Sequence, residues 1–195
     1  MANISDIEIA NYALSKVGAN PIESFTQNNP NARIVNAAYQ KVKRRLLRKF
    51  QWNFATRRAS LPAHATQTVW GSLNRFPVPS GFLRLIFDNE TGQITDWRIE
   101  SDDTDTLFIV TSDSAPLKIK YVHDVTAPNL YDSMFVEALA SLVGAEICEP
   151  ISGNGSKRNQ LRQEARDAIL EAKNAGSLEE IPDEIPEGEW LAARR

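Results

Sequence analysis

Cysteine and histidine are nearly absent from this sequence, and this excludes several classes of site. The chain has 195 residues with one cysteine and two histidines, so an internal disulfide is excluded and a His/Cys metal site lacks ligands. A single thiol suits a reducing cytoplasm, and its apolar helical setting predicts a buried, inert Cys148. No apolar run is long enough to span a membrane, and the first residues do not resemble a secretion signal.

Catalytic and nucleotide-binding motifs are also missing. The sequence contains no Gly-rich phosphate-binding motif and no Gly-x-Ser-x-Gly turn around a nucleophile. His64 and His123 have no partner at metal-ligand spacing, and residues 153–157 follow a predicted helix rather than a strand. We therefore expect no catalytic residues, no metal and no cofactor, and we expect that the protein is not an enzyme.

Acidic residues are missing from a long internal stretch. Between Ser24 and Phe87 there is no Asp or Glu, although the chain has 25 acidic residues. The stretch holds 11 of the 22 basic residues, namely Arg33, Lys41, Lys43, Arg44, Arg45, Arg48, Lys49, Arg57, Arg58, Arg75 and Arg84. This segregation indicates either a solvated basic helix or a surface for a neighbouring copy or a nucleic acid.

Apolar residues at helical spacing predict four helices. Their expected ranges are about 5–17, 31–50, 131–149 and 156–175. Ser5 and Glu8 form a capping-box pattern, Pro150 is expected to end the third helix, and the fourth is expected to stop near Gly176.

The predicted second helix has two distinct faces. Its apolar residues fall on one arc, which is expected to face the core. Four cationic residues fall on a separate arc, and they are Arg33, Lys41, Arg44 and Arg48. We expect this basic face to contact a channel or a neighbouring subunit and to matter little for folding.

Residues 57–124 alternate between apolar and polar side chains, which predicts strands. Expected strands include one at Thr66, Thr68 and Trp70, and another after the turn at 77–81. Together the patterns predict an α+β fold: a bundle of about four helices with an inserted antiparallel β-meander, as one domain over residues 1–176. The aromatic residues Trp52, Phe54, Trp70 and Trp97 favour a core role over a sugar or base platform.

The last segment, residues 177–195, combines carboxylates and two prolines with apolar residues. Helix is not expected there. Its apolar anchors are Ile181, Ile185, Trp190 and Leu191. We expect an extended C-terminal arm that becomes ordered on a partner, the alternative being a disordered terminus.

Several short segments, taken together and in their order along the chain, resemble one protein family. They are the run Ile9–Gly18 with Pro21-Ile22, then Leu46-Leu47-Arg48 with Trp52-Asn53-Phe54-Ala55, then Phe82–Leu85, and finally Tyr121–Val125 with Phe135–Ala140. Together they are similar to the phage tail tubular protein A family of head-to-tail adaptors. The resemblance covers about residues 5–175 and leaves the C-terminal arm without a match.

The resemblance implies a structural virion protein at the head–tail junction, assembled in the host cytoplasm. Members of this family form a ring, usually of twelve copies, beneath the portal protein. The ring extends the DNA channel and carries the next tail component, a nozzle or tube protein. The implied partners are thus the portal, neighbouring copies, that tail protein and DNA passing without sequence-specific binding, with no membrane involved.

Two other functions stay open from the sequence. A virion-associated cell-wall glycosidase needs only a pair of carboxylates, one with a raised pKa, and the chain is rich in acids. A DNA-binding module would use the basic helix at 31–50 to neutralise phosphates. No recognisable DNA-reading motif is present, and the net charge of −3 disfavours that function.

Overall fold

The computed structural model describes residues 4–179 except 69, 72 and 88–95, and within them the fold is α+β as predicted. The helices are α1 (Asp6–Val17), α2 (Pro30–Lys49), α3 (Ser133–Ser152) and α4 (Gly155–Glu179). The strands are β1 (Thr56–Leu61), β2 (Asn74–Pro77), β3 (Phe82–Phe87), β4 (Arg98–Ser101), β5 (Leu107–Thr111) and β6 (Leu117–His123). Four helices and an inserted antiparallel β region are therefore confirmed.

The helix starts follow the capping signals in the sequence. The Glu8 amide donates to the Ser5 hydroxyl at 3.2 Å, and the Ser5 amide donates to the Glu8 carboxylate at 2.6 Å. Asn29 caps α2 through a hydrogen bond from the Asn31 amide at 2.8 Å, and Pro30 occupies the first helical turn. These contacts satisfy amides that have no partner inside a helix.

Two predicted helix ends are wrong by a few residues. α3 continues past Pro150 to Ser152, because a proline in the last turn removes only one hydrogen bond, and the helix ends at the left-handed Gly153. α4 continues through Gly176 to Glu179, since glycine weakens a helix without ending it. Residues 177–179 are thus helical, and the predicted arm from residue 180, with its anchors Ile181, Ile185, Trp190 and Leu191, lies outside the described residues.

The strands form two three-stranded antiparallel sheets, ordered β1-β6-β3 and β2-β5-β4. The strand predicted at Thr66, Thr68 and Trp70 is wrong, because the described residues between β1 and β2 contain no strand. The Thr68 hydroxyl donates to the Trp70 carbonyl at 2.7 Å and accepts from the Leu73 amide at 3.1 Å. A side chain that bonds local backbone in this way stabilises a turn instead of a ladder.

The central element of the bundle is α3, which contacts α1, α2 and α4. At its start, the Phe135 ring has no exposed surface and packs edge-on against Trp52 and Phe54, with ring centres 4.9 and 5.0 Å away. Tyr131 lies 5.0 Å from Phe135 and 5.6 Å from Phe54. This aromatic junction joins the segment after α2 to the segment that returns from the sheets.

The predicted core role of the aromatic residues is only partly correct. Trp52 is buried and Phe54 is half-buried, as expected. Trp70 is 83% exposed and Trp97 is 45% exposed, so the prediction is wrong for both. Each lies outside the strands, where alternation no longer fixes which way a side chain points.

A polar cluster links α1, α3 and α4. Lys16 Nζ lies 2.6 Å from Glu137 and 3.0 Å from Glu164, and the Tyr12 hydroxyl donates to Glu137. Burial acts to lower the pKa of Lys16, but hydrogen bonds to both carboxylates outweigh it and raise the pKa above its usual value. Burial acts to raise the pKa of Glu137, but hydrogen bonds from Lys16 and Tyr12 hold it below its usual value.

These shifts predict a pH dependence of the free energy of unfolding. The lowered pKa of Glu137 gives stability that is present above its ordinary pKa of 4.5 and is lost as the pH falls through the folded value. The raised pKa of Lys16 gives stability that is present below 10.5 and is lost as the pH rises through its folded value. Thermal unfolding between pH 6 and pH 3 should therefore show a steeper fall for the wild type than for Lys16→Met. Parallel curves would contradict this coupling.

None of the helices in the described part of the chain combines the length and the apolar character needed to cross a membrane.

Candidate functional site

A concentration of positive charge lies where α2 passes β3. Three of the four predicted basic residues, Lys41, Arg44 and Arg48, are exposed and line one open depression of about 840 Å³. The residues that line it are Gln40, Lys41, Arg44, Arg45, Arg48, Lys49, Leu83 and Arg84. We call this region the cationic surface.

Two of the arginines also attach α2 to the sheets. Arg44 Nε lies 3.1 Å from the Asp124 carboxylate, and Arg48 Nη1 donates to the Leu83 carbonyl at 2.8 Å. Arg44 is 61% exposed, so its ion pair contributes little to stability. Arg48 makes a charge-assisted bond to a strand carbonyl, so the expectation that this face matters little for folding does not extend to Arg48.

Other cations on this surface have no counter-charge in the part of the chain that the structure describes. Among the residues that the structure describes, Lys41, Lys49 and Arg84 form no ion pair. Arg84 Nε is buried and has no hydrogen-bond partner within the same residues. Unneutralised cations that line one depression repel one another, so an anionic partner is favoured here.

Arg33 lies apart from the cationic surface. It is exposed on the first turn of α2, and its guanidinium donates to the Asn28 side chain at 2.5 Å. Arg33 shares an arc with Lys41, but eight residues of helix separate them by about 12 Å along the axis. The structure brings together three of the four predicted residues and leaves Arg33 out.

Three further residues of this surface were not predicted from the sequence, namely Arg45, Lys49 and Arg84. Arg45 and Lys49 lie on the same helix beyond one edge of the predicted arc, toward the apolar arc, so helical spacing did not group them with it. Arg84 comes from β3, where an arginine inside the apolar run 82–87 is the one local signal. Its position beside α2 depends on tertiary packing, which spacing along the chain does not reveal.

The cationic surface has the chemistry of a binding site. Its fixed charges can hold phosphates or carboxylates, and it includes neither a thiol nor a histidine. Cys148 has no exposed surface, which confirms the prediction of a buried thiol, and its Sγ lies 3.3 Å from the Asn154 carbonyl. Within the described residues no cluster of His, Cys, Asp and Glu could hold a metal ion.

Comparison of the chain with models of known protein families found no match, and comparison with curated proteins found none either.

Proposed function

We propose that this protein is a structural part of a tailed phage virion, a head-to-tail adaptor that binds beneath the portal as one subunit of a ring. The proposal rests on the aromatic junction. The Trp52-Asn53-Phe54-Ala55 segment and the segment Phe135–Ala140 each carry the family resemblance. The rings of Trp52 and Phe54 pack against Phe135 at 4.9 and 5.0 Å, at the point where the bundle meets the inserted sheets.

The cationic surface supports the same proposal. A ring built head to tail needs two different, complementary faces on each copy. Charge complementarity between such faces speeds encounter and disfavours wrong partners. Six cationic residues on α2 and β3, with acids placed elsewhere along the chain, supply one of the two faces or a lining for the DNA channel.

The glycosidase alternative receives no support from the carboxylates with displaced pKa values. A general acid in such an enzyme needs a raised pKa. Hydrogen bonds from Thr104 lower the pKa of Asp102, and contacts with Lys16 and Tyr12 leave that of Glu137 lowered. Both carboxyl groups are held in the ionised form, which cannot donate a proton to a leaving group.

The cationic surface favours a DNA-binding module as the second candidate. Arg84 extends the row of cations beyond α2, and an open depression lined by cations can follow a phosphate backbone. A DNA-binding module would retain duplex DNA by itself, with a steep loss of binding as salt rises. An adaptor would bind its portal under conditions in which it leaves free DNA unbound.

Electron microscopy of the purified protein with its cognate portal tests the proposal. We expect a monomer by light scattering when the protein is alone, and a ring of density beneath the portal when the two are mixed. A stable ring formed by the protein alone would contradict the first expectation. A portal that shows no added density at saturating protein would overturn the adaptor function.

A further inference from the structure

A second groove, distinct from most of the cationic surface, runs between α2, α3 and α4. Its volume is about 570 Å³. Its floor is apolar and includes Leu46, Leu142, Ala165 and Ile169, while Leu170 at its edge is 57% exposed. A concave surface of this volume with an apolar floor falls within the size range of ligand-binding pockets.

The rim of this groove is strongly cationic. It carries five basic residues, Arg45, Lys49, Arg162, Arg166 and Lys173, and one acidic residue, Glu146. Glu146 lies 3.5 Å from Arg45. Within the described residues the other four basic side chains form no ion pair, so most of the positive charge here is not neutralised.

Two of these cations meet on one aromatic ring. The Nζ atoms of Lys49 and Lys173 lie 5.3 and 4.7 Å from the centre of the Phe50 ring. The ring attracts both ammonium groups, but it cannot neutralise their charge, and each repels the other. An anionic group placed between them would relieve this repulsion. The groove therefore fits a ligand that is both apolar and acidic.

We propose that this groove binds residues 180–195 of a neighbouring copy of the same protein. This segment has five acidic residues, Glu180, Asp183, Glu184, Glu187 and Glu189. Its apolar anchors Ile181, Ile185, Trp190 and Leu191 alternate with them. The anchors match the apolar floor and the carboxylates match the cationic rim, so both chemical requirements are met by one peptide.

The reach of the chain favours a neighbour over the segment's own groove. α4 ends at Glu179, whereas the last residue of α4 on the rim is Lys173. Six helical residues place that rim about 9 Å behind the helix end. Ile181 follows Glu179 by two residues, which span about 7 Å when extended, so a chain that folds back onto its own groove leaves Ile181 short of the rim. A groove on a neighbouring copy does not impose this limit on Ile181.

The supply of the segment by a neighbour rests on the proposed ring, but the binding of the segment by the groove does not. A labelled peptide of residues 180–195 can be titrated into the full-length protein and followed by fluorescence anisotropy. We expect saturable binding at one peptide per chain. Arg162→Glu combined with Arg166→Glu should weaken it by about tenfold or more, because both new carboxylates repel the peptide.

A matched control keeps the charge change and moves it away from the groove. Arg58→Glu combined with Lys157→Glu alters one exposed residue and one half-buried residue outside the groove, and should bind the peptide like the wild type. Thermal melts establish that each variant folds. If the groove variant fails to fold, a peptide carrying Trp190→Ala, with the wild-type protein, provides the same test, and we expect it to bind at least about tenfold more weakly.

Three results would overturn the inference. One is the absence of peptide binding both to the full-length protein and to the protein that lacks residues 180–195. Another is equal binding by the wild type and the groove variant. A third is binding only after the chain's own residues 180–195 are deleted, which would make the occupant the chain's own arm. Each is independent of portal, so a ring beneath the portal without peptide binding would refute this inference and leave the adaptor function standing.

Discussion

Phe135→Ala is expected to lower the free energy of unfolding by about 3–5 kcal/mol, the range for removing a fully buried aromatic ring. Phe135 has no exposed surface and contacts Trp52, Phe54 and Tyr131 edge-on at 4.9–5.0 Å. The change removes these contacts and leaves a cavity where the bundle meets the sheets. Urea unfolding at neutral pH measures the loss directly.

Trp70→Ala is the matched control for this prediction. It removes a larger ring, but Trp70 is 83% exposed and packs little against its surroundings. Its effect should stay within about 0.5 kcal/mol. If Phe135→Ala lowers the free energy of unfolding by less than about 1 kcal/mol, the aromatic junction is not a main source of stability.

Local features were the most predictable part of this fold. The capping box at Ser5 starts α1 as expected, because it acts through hydrogen bonds within a few residues. The apolar arc of α2 was likewise correct at Val35, Tyr39 and Leu46, which are all buried. These elements depend on neighbours in sequence, which a periodic pattern records.

Long-range pairing was not predictable from the pattern. β6 pairs with both β1 and β3, so Thr56 lies opposite Val122 although 66 residues separate them. Alternation indicates a strand but does not identify its partner. The burial of Lys43 was not predictable either. Its side chain is only 2% exposed, although its sequence neighbours Arg44 and Arg45 are exposed.

The candidate site shows this limit most clearly. Lys41, Arg44 and Arg48 were predictable because one helix carries them at helical spacing. Arg84 joins them only because β3 packs beside α2, and the groove on the other side needs three helices. Charge segregation in the sequence thus located the positive region but did not divide it into the cationic surface and the groove.

The double variant Lys41→Glu, Arg44→Gln is expected to bind the portal more weakly than the wild-type protein does. Lys41 has no ion pair among the described residues, and glutamine at 44 can still donate a hydrogen bond to Asp124, so folding should be preserved. If the cationic surface meets an acidic neighbour or the DNA, placing a carboxylate there should cost about 2 kcal/mol, or roughly 30-fold in Kd. Quantitative sedimentation of the protein with portal measures this loss.

Arg33→Glu provides the comparison on the same helix, because Arg33 lies about 12 Å along the axis from Lys41 and outside the cationic surface. It should bind portal as the wild type does.

The loss of portal binding by the double variant should shrink as salt rises from about 50 mM to 0.5 M, since screening weakens both attraction and repulsion between exposed charges. Equal binding by all three proteins at low salt would show that the cationic surface faces solvent in the assembly. A double variant that melts well below the wild type would instead assign Lys41 and Arg44 to the fold.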